Sequence, residues 1–476
     1  MATTSSASSV TSSSLTSGGI NVDAVVSGLM AIERQPIDKL NTKEASYQAK
    51  ITALGTLKSK VSALQTAAQK LGSSSSSSLL AFKATPSDAT ILSAVAGSTA
   101  VAGTYSVAVS TLAQSQKLVA AGQTSSTAAI GTGTATQVTF DFGTISGGTL
   151  TNGIYTGASF ASNGGGTRTI TIDSSNNTLA GIRDAINAAN MGVSATIVND
   201  GSGTPYRLAL SSNNSGVSNS IKITTNAGDA SIDSLLAYDP AGTQNLSQTA
   251  VAQNANFTVN GIAISKTSNS VNDAIQGVTL TLSKTGTSSL VVERDTAAVS
   301  SAVSGFVTAY NELYSAMKNS YARNSGSALS GDPTLRSLQT EMRNILTTAA
   351  SGNMSYLTSV GVTSKTDGSL QLDSATLNTA MTNSFSDVSA LFNSASGFAT
   401  RFETWSTSAL AYNGTFANRT DSLNQYIKSI AAQRDAMEVR MKSVEQAYRK
   451  QFSSLNATVL SMNQTSTYLT QQLAKL

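Results

Sequence analysis

The stretch from Thr415 to Leu476 contains neither glycine nor proline, so nothing in it obliges a helix to stop. A row at seven-residue spacing runs through Ile427, Arg434, Met441, Tyr448, Leu455, Met462, Leu469 and Leu476, and only Arg434 breaks its apolar character. Beside it lies a second row, with Ile430, Met437 and Val444 three residues on, then Phe452, Val459 and Leu473 four residues on. Such drift is what a 3.6-residue helix shows when it carries a seven-residue repeat. A straight helix over the whole stretch would be ~93 Å long at 1.5 Å per residue. A compact domain cannot bury a rod of that length by itself, so the sequence demands a partner helix.

The partner is expected near the other end of the chain. Leu40, Tyr47, Leu54, Val61 and Ala68 share one seven-residue row, and Lys43, Lys50, Leu57, Leu64 and Leu71 share the row three residues on. Together they have the a/d arrangement of a coiled coil, weakened in its first half by Lys43 and Lys50. The two ends are therefore expected side by side as one stalk, with everything between them looped out. The apolar members of these rows, from Leu40 to Leu71 and from Ile427 to Leu473, are the candidate packing and assembly positions.

Length allows several domains, each with its own core. Only 12% of residues are charged, and the net charge of +4 has its basic excess in residues 1–100 and 415–476. Those lysines and arginines are interspersed with acids and form no basic patch, so nucleic acid is not an expected partner. With no cysteine, neither disulfides nor thiol chemistry contribute, as suits a protein exported unfolded. No apolar run is long enough to span a membrane, so none is expected to insert. The N-terminus lacks a basic n-region and an apolar h-region, its first cation being Arg34. This points to a cytosolic chain or one exported without a cleaved signal.

Residues 1–18, almost all Ser, Thr and Ala, are expected to be disordered. Residues 19–71 read as the N-terminal stalk helices: Asn21 caps a short helix carrying Val22, Val25, Val26, Leu29 and Met30, and Pro36 opens the next. The serine run Ser73–Ser78 ends that helix, and residues 72–100 read as a linker and the start of a stalk-proximal domain. From Phe82 to about Val303 the apolar period changes from 3.6 to 2, with alternating strands at 104–109 and 138–142. Two β-rich lobes are expected. The first comprises residues 101–135 and 251–297, and the second, residues 136–250, is inserted within it.

A strand, short helix and strand at 169–198 and again at 257–282 suggest a repeated unit. Residues 298–414 return to helical periodicity, with Asp332-Pro333 as a helix start, Asp367-Gly368 as a hairpin turn and Asp373 as a cap. The fold class is thus multidomain α+β: a long terminal helical coiled-coil stalk, closed by residues 415–476, a mixed mainly helical domain, and two β-rich lobes between the termini.

The text Gly19-Ile20-Asn21-Val22-Asp23, then Leu29-Met30, Glu33-Arg34, Pro36 and Leu40, resembles the N-terminus of the flagellar hook-associated protein 2 family. Asn21 replaces the commoner Asp and keeps a capping oxygen. The stretch Val299–Leu476 is similar to the same family, through Phe306-Val307-Thr308-Ala309-Tyr310-Asn311, Gly331-Asp332, Val360-Gly361-Val362 and Leu370-Gln371-Leu372-Asp373. Residues 176–186 and the following strand look like a module of flagellins and their relatives.

The resemblance implies a structural protein without cofactor that caps the distal tip of the bacterial flagellar filament. It implies a homo-oligomeric ring, a pentamer or hexamer, that promotes folding and insertion of exported flagellin and prevents its loss. It further implies export through the flagellar type III apparatus, a chaperone at the C-terminal helix, and transient contact with hook-associated junction proteins. The competing readings are a tip adhesin, which the β-rich lobes could support, and another axial flagellar protein of the junction type.

An enzyme reading lacks histidine and cysteine, which removes the commonest general base, the thiol nucleophile and most metal ligands. Ser315-Ala316-Met317-Lys318 and Lys284-Thr285-Gly286 match motifs of penicillin-recognising serine enzymes, but in reversed chain order and with Met317 on a face expected to be buried.

Overall fold

The structure, a computed structural model, describes residues 15–16, 19–72, 77–226, 228–321 and 326–474. The expected disorder of residues 1–18 and the linker role of residues 73–76 fall outside that set, apart from Leu15–Thr16, which pairs antiparallel with Gly19–Ile20. The chain divides into two compact units. One joins the residues up to Leu79 with those from Thr296 onward, and the other is Leu80–Asp295.

The first unit is helical. Its seven α-helices among the described residues are Val22–Glu33, Gln35–Gln69, Thr296–Tyr321, Pro333–Thr347, Ser374–Asn393, Phe398–Leu410 and Thr415–Leu473. Their starts follow from local chemistry. The Asn21 side chain accepts the Ala24 N–H at 3.0 Å, Asp332 accepts that of Thr334 at 2.9 Å, and Asp373 accepts that of Ala375 at 2.9 Å. A two-stranded hairpin, Val362–Ser364 with Leu370–Leu372, turns at Gly368. There φ is +89° and a Cβ would lie 2.1 Å from the Tyr314 hydroxyl, so only glycine fits.

The core of this unit gathers Phe306, Tyr310, Phe392, Phe398 and Phe402 around one face of the long N-terminal helix. Leu54, Leu57, Val61, Leu64, Ala68 and Leu71 supply that face, and each is at most 2% exposed. Their alternating spacing of three and four makes a continuous helical stripe.

The root of the C-terminal helix is tied to this core by Arg419, whose Nη2 and Nε donate to Asp332 Oδ2 at 2.7 and 3.2 Å. Burial alone would raise the Asp332 carboxyl's pKa, but the Arg419 guanidinium and the Thr334 N–H outweigh it and hold the carboxyl below its ordinary value.

The second unit holds two antiparallel lobes, each with its own core. In the first, a five-stranded sheet runs in the order Ile262–Lys266, Ala255–Val259, Gly103–Thr111, Gly286–Arg294, Phe82–Pro86. A three-stranded sheet, Ser270–Ile275, Val278–Leu282, Leu92–Ala96, shares its core, where Val107, Phe257, Leu280 and Leu290 are buried. In the second lobe one sheet runs Val193–Asn199, Tyr206–Ser212, Lys117–Ala120, Leu246–Ala250. The other is built on the long strand Thr136–Thr151, and the helices Leu179–Ala188 and Ala230–Leu236 bury Ile182, Ile186, Leu235 and Leu236 in the same core.

A buried polar link stitches this lobe. Gln116 Nε2 donates to Gln248 Oε1 at 2.8 Å, and its Oε1 accepts the Ile221 N–H at 2.5 Å. The Tyr238 hydroxyl completes the link by donating to Gln248 Oε1 at 3.0 Å. Every buried polar atom in the link therefore has a partner.

Two boundaries and one element differ from the sequence expectation. Phe82–Pro86 and Leu92–Ala96 belong to the first lobe, because their alternating side chains complete its sheets, and so residues 72–100 do not open the helical domain. The inserted lobe begins before residue 136, since Lys117–Ala120 is a central strand with Leu118 fully buried. The second copy of the supposed repeat has no helix. Ser270–Ile275 is a strand that turns back on Val278–Leu282 through Gly277 at φ +70°, and six residues are too few to nucleate a stable helix.

Replacing Asp332 by Asn keeps a capping oxygen and removes the charge that pairs with Arg419. At neutral pH Asp332→Asn is expected to lose ~1–3 kcal/mol of unfolding free energy for the helical unit. Because the folded carboxyl's pKa is depressed, its contribution is present above the ordinary aspartate range and lost as pH falls through the folded value. Urea titrations should therefore separate wild type and variant at pH 7 and bring them together in acid.

Candidate assembly surface on the terminal helices

The two ends of the chain meet antiparallel. The Ile20 N–H donates to Asn456 Oδ1 at 2.7 Å, Arg449 Nη1 to Asp23 Oδ1 at 2.5 Å, and the Tyr448 hydroxyl to Glu33 Oε1 at 3.1 Å. Further along, Arg34 pairs with Glu438 at 3.4 Å and Arg434 with Glu44 at 2.7 Å. The rings of Tyr47 and Tyr426 then stack with centroids 5.5 Å apart. Numbers rise on one side as they fall on the other, which fixes the direction.

The apolar filling of this seam is thin. Val26, Met30, Ile37 and Met441 are buried, with Val22, Met437, Val444, Tyr448 and Phe452 half-buried against them. Ile430 is buried nearby, while Leu40 and Ile427 are half-covered. At ~1.5–3 kcal/mol per fully buried side chain, four such groups hold the pair modestly. The Arg449–Asp23 and Arg34–Glu438 pairs are solvent-exposed and add ~0–1 kcal/mol each. The Glu33 carboxylate raises the pKa of the Tyr448 phenol, so that hydroxyl stays protonated and donating at neutral pH.

The seam is not the uniform two-helix coil that the heptads predict. Much of its partner surface comes from the short helix Val22–Glu33, whose Val26 and Met30 cover Met441 and its neighbours. The Tyr47–Tyr426 stack is the last named contact of the seam, after which Phe416 and Leu423 of the C-terminal helix join the domain core. Beyond that point Leu54, Leu57, Val61, Leu64 and Leu71 face the helices Thr296–Tyr321 and Phe398–Leu410 in the domain core. The heptad rows of the long helix therefore serve two different partners in succession.

The sequence signal for the short helix's role was the i, i+4 pair Val26 and Met30, and Tyr426 sat one residue off the heptad row. Lys43 is solvent-exposed, and Lys50 lies over the Tyr47 ring with Nζ 5.6 Å from its centroid.

Past the seam the C-terminal helix keeps its apolar row without cover. Leu455 is 46% exposed, Met462 66%, Leu469 55% and Leu473 70%, while Val459 is half-buried. Leu476 lies outside the described residues. Singly exposed leucines are ordinary, whereas these form a periodic, exposed apolar row along one helix. Elsewhere, Ser315 and Lys318 are exposed while Met317 is fully buried, and Lys284 belongs to the other unit. Among the described residues no group of three or more Asp, Glu, His or Cys could hold a metal, and no helix is long and apolar enough to cross a membrane.

A charge placed in the thin seam should open it without unfolding the core. Because the chain has no native cysteine, Lys39→Cys and Gln433→Cys can be spin-labelled cleanly. The pair is expected to give one short, narrow distance distribution, which Met441→Asp broadens while the circular-dichroism melt of the core barely moves.

Residues 18–116 match the family described as "Flagellar hook-associated protein 2 N-terminus", and residues 252–464 match "Flagellar hook-associated protein 2 C-terminus". Between them, residues 159–214 match "Flagellin hook IN motif", which spans the strand–helix–strand around Leu179–Ala188. The chain is 33% identical over 475 residues to the flagellar hook-associated protein 2 of Escherichia coli K12, covering 95% of this chain and 96% of that one. It is 33% identical over 466 residues to the B-type flagellar hook-associated protein 2 of Pseudomonas aeruginosa, covering 92% of each. The crystal structure of the flagellar cap protein FliD D1-D2-D3 domains from Escherichia coli superposes with a TM-score of 0.66 at 33% identity, covering 78% of this chain and 99% of that one. An end-to-end match of this kind, across helices, lobes and seam alike, makes this chain a member of the flagellar hook-associated protein 2 family.

Proposed function

We propose that this chain caps the distal tip of the bacterial flagellar filament, as a ring of its own copies beneath which exported flagellin folds and inserts. The observation that carries the reading is the end-to-end likeness to flagellar hook-associated protein 2 relatives, together with the likeness to a solved structure described as a flagellar cap protein. The role is mechanical rather than catalytic. The geometry of the terminal helices supports it physically. A thin seam lets the helix pair loosen and re-form, and the exposed row from Leu455 to Leu473 offers an apolar face to a neighbouring helix.

Before export that same row needs cover, and a dedicated chaperone at the C-terminal helix supplies it. Passage through the flagellar type III apparatus in an unfolded state agrees with a chain free of cysteine. Transient contact with the hook-associated junction proteins belongs to the same reading.

Deleting the gene tests the proposal. Flagellin is expected in the culture medium as monomer, with filaments and swimming lost and both restored by the full chain. A chain ending at Asn456 keeps the seam contacts and the core and removes the row beyond Leu455, from Val459 to Leu473. It is expected to be secreted and folded yet to leave flagellin unassembled. Normal filaments without the protein, or with the shortened chain, would overturn the capping role and the role of that row respectively.

A further inference from the structure

The helical unit contains a cavity of about 450 Å³ between the helices Thr296–Tyr321 and Pro333–Thr347 and the hairpin that turns at Gly368. That size suits a small ligand or a short peptide segment. Its wall is apolar where Leu346, Leu357 and Leu370 line it, and aromatic where Tyr310, Tyr314 and Tyr356 do.

Tyr310 is the informative member. It is 3% exposed and stacks on Tyr314 at 6.0 Å, and among the described residues its hydroxyl has no hydrogen-bond partner. The neighbouring Tyr314 hydroxyl is already engaged, donating to the Asp367 carbonyl at 2.9 Å. Burial pushes the Tyr310 phenol up to about 12, with Tyr314 adding to the rise and Arg343 opposing it, so it is a donor at neutral pH. Its oxygen is not sealed from solvent, so it offers a donor into the cavity for something that can accept from it.

Charge narrows what that something is. Arg343 and Lys365 line the cavity, both are exposed, and neither has an ion-pair partner among the described residues. The acid on the lining, Asp367, is turned onto its own loop. Its carboxylate accepts the Ser369 N–H at 3.0 Å and hydroxyl at 2.6 Å, bonds that hold its pKa down. Glu341, two residues from Arg343, is engaged by Trp405 Nε1 at 2.8 Å and by Ser337. The mouth therefore carries two cations without a close ion pair, Lys365 partly answered by the Asp367 carboxylate, above a phenol open to the cavity and a greasy wall. A cationic ligand is repelled there, and a compact inorganic anion would leave the apolar wall unused.

We infer that this cavity binds a carboxylate carried on an aromatic or branched aliphatic body, with Arg343 and Lys365 meeting the charge and Tyr310 donating to a carboxylate oxygen. The inference does not rest on the capping role, since it concerns a pocket in the domain core and not the seam. The carboxylate can come from a free organic acid or from an acidic side chain beside an aromatic one in a partner's peptide.

The test uses the full chain with labelled leucine and valine methyls, so that Leu346, Leu357, Val362 and Leu370 report on the cavity. The probes are 3-phenylpropanoate, its neutral amide, and a blocked Gly-Glu-Phe-Gly peptide, each at millimolar concentration. The acid or the peptide is expected to shift those methyls, and the neutral amide is not. Tyr310→Phe and Arg343→Gln, which leave the core volume intact, are each expected to weaken binding about tenfold, the scale of one lost hydrogen bond to a charged group. Tighter binding of the peptide than of the acid assigns a protein partner, and the reverse assigns a metabolite. Absence of shifts with both, equal shifts with the amide, or affinity unchanged in both variants would each overturn the inference.

Discussion

A helix of 59 residues spans ~88 Å, several times the width of the domain it leaves, and that mismatch governs the first unit. Whatever length the domain core cannot cover must be covered by something else or stay wet. The chain meets the problem in three zones. Near Phe416 and Leu423 the helix is part of the core, and from Tyr426 to Asn456 it is covered by the N-terminal segment. Beyond that point it stands open.

These zones form a gradient of stability. The core contains four fully buried phenylalanines and a continuous leucine stripe on the long helix, whereas the seam has a cluster of four buried apolar side chains, Ile430 nearby, and exposed ion pairs. Local opening follows the number of buried contacts, so the seam gives way well before the core does. The proposed capping role, in which the helix pair docks, releases and docks again, suits the low end of such a gradient. Arg419 and Asp332 sit at the root of the C-terminal helix, where a loose joint would let the whole helix swing.

Much of this architecture was legible in the residues. Heptads at both ends announced helices too long for one domain, Asn21, Asp332 and Asp373 marked helix starts, and Asp367-Gly368 marked a hairpin. The partner of each stripe was harder to read. Leu54 to Leu71 obey the same seven-residue spacing as Leu40 and Tyr47, but they are core residues. Spacing fixes which face of a helix is apolar and leaves open what covers it. The second-copy helix at 270–275 failed for a related reason, since a six-residue apolar pattern fits a hairpin strand as well as a helical turn. The cavity beneath Tyr310 could not be read at all, because its lining joins residues from 310 to 370 that come together only through tertiary packing.

The charged residues in the heptad rows now have a physical reading. Arg434 would be a costly flaw in a continuous hydrophobic seam, and here it lies at the seam's edge, answered by Glu44 at 2.7 Å. Lys50 rests its ammonium over Tyr47, and Lys43 points to solvent. None is buried unpaired, so none carries the penalty of a desolvated charge. Each also keeps an apolar side chain from a position where it would have locked the two helices into a permanent coiled coil. Polar residues at such positions favour one register over its slipped alternatives at the expense of strength. An antiparallel pair held by Glu44, Tyr47 and Asp23 to defined partners can therefore open and still return to the same alignment, which grease alone would not ensure.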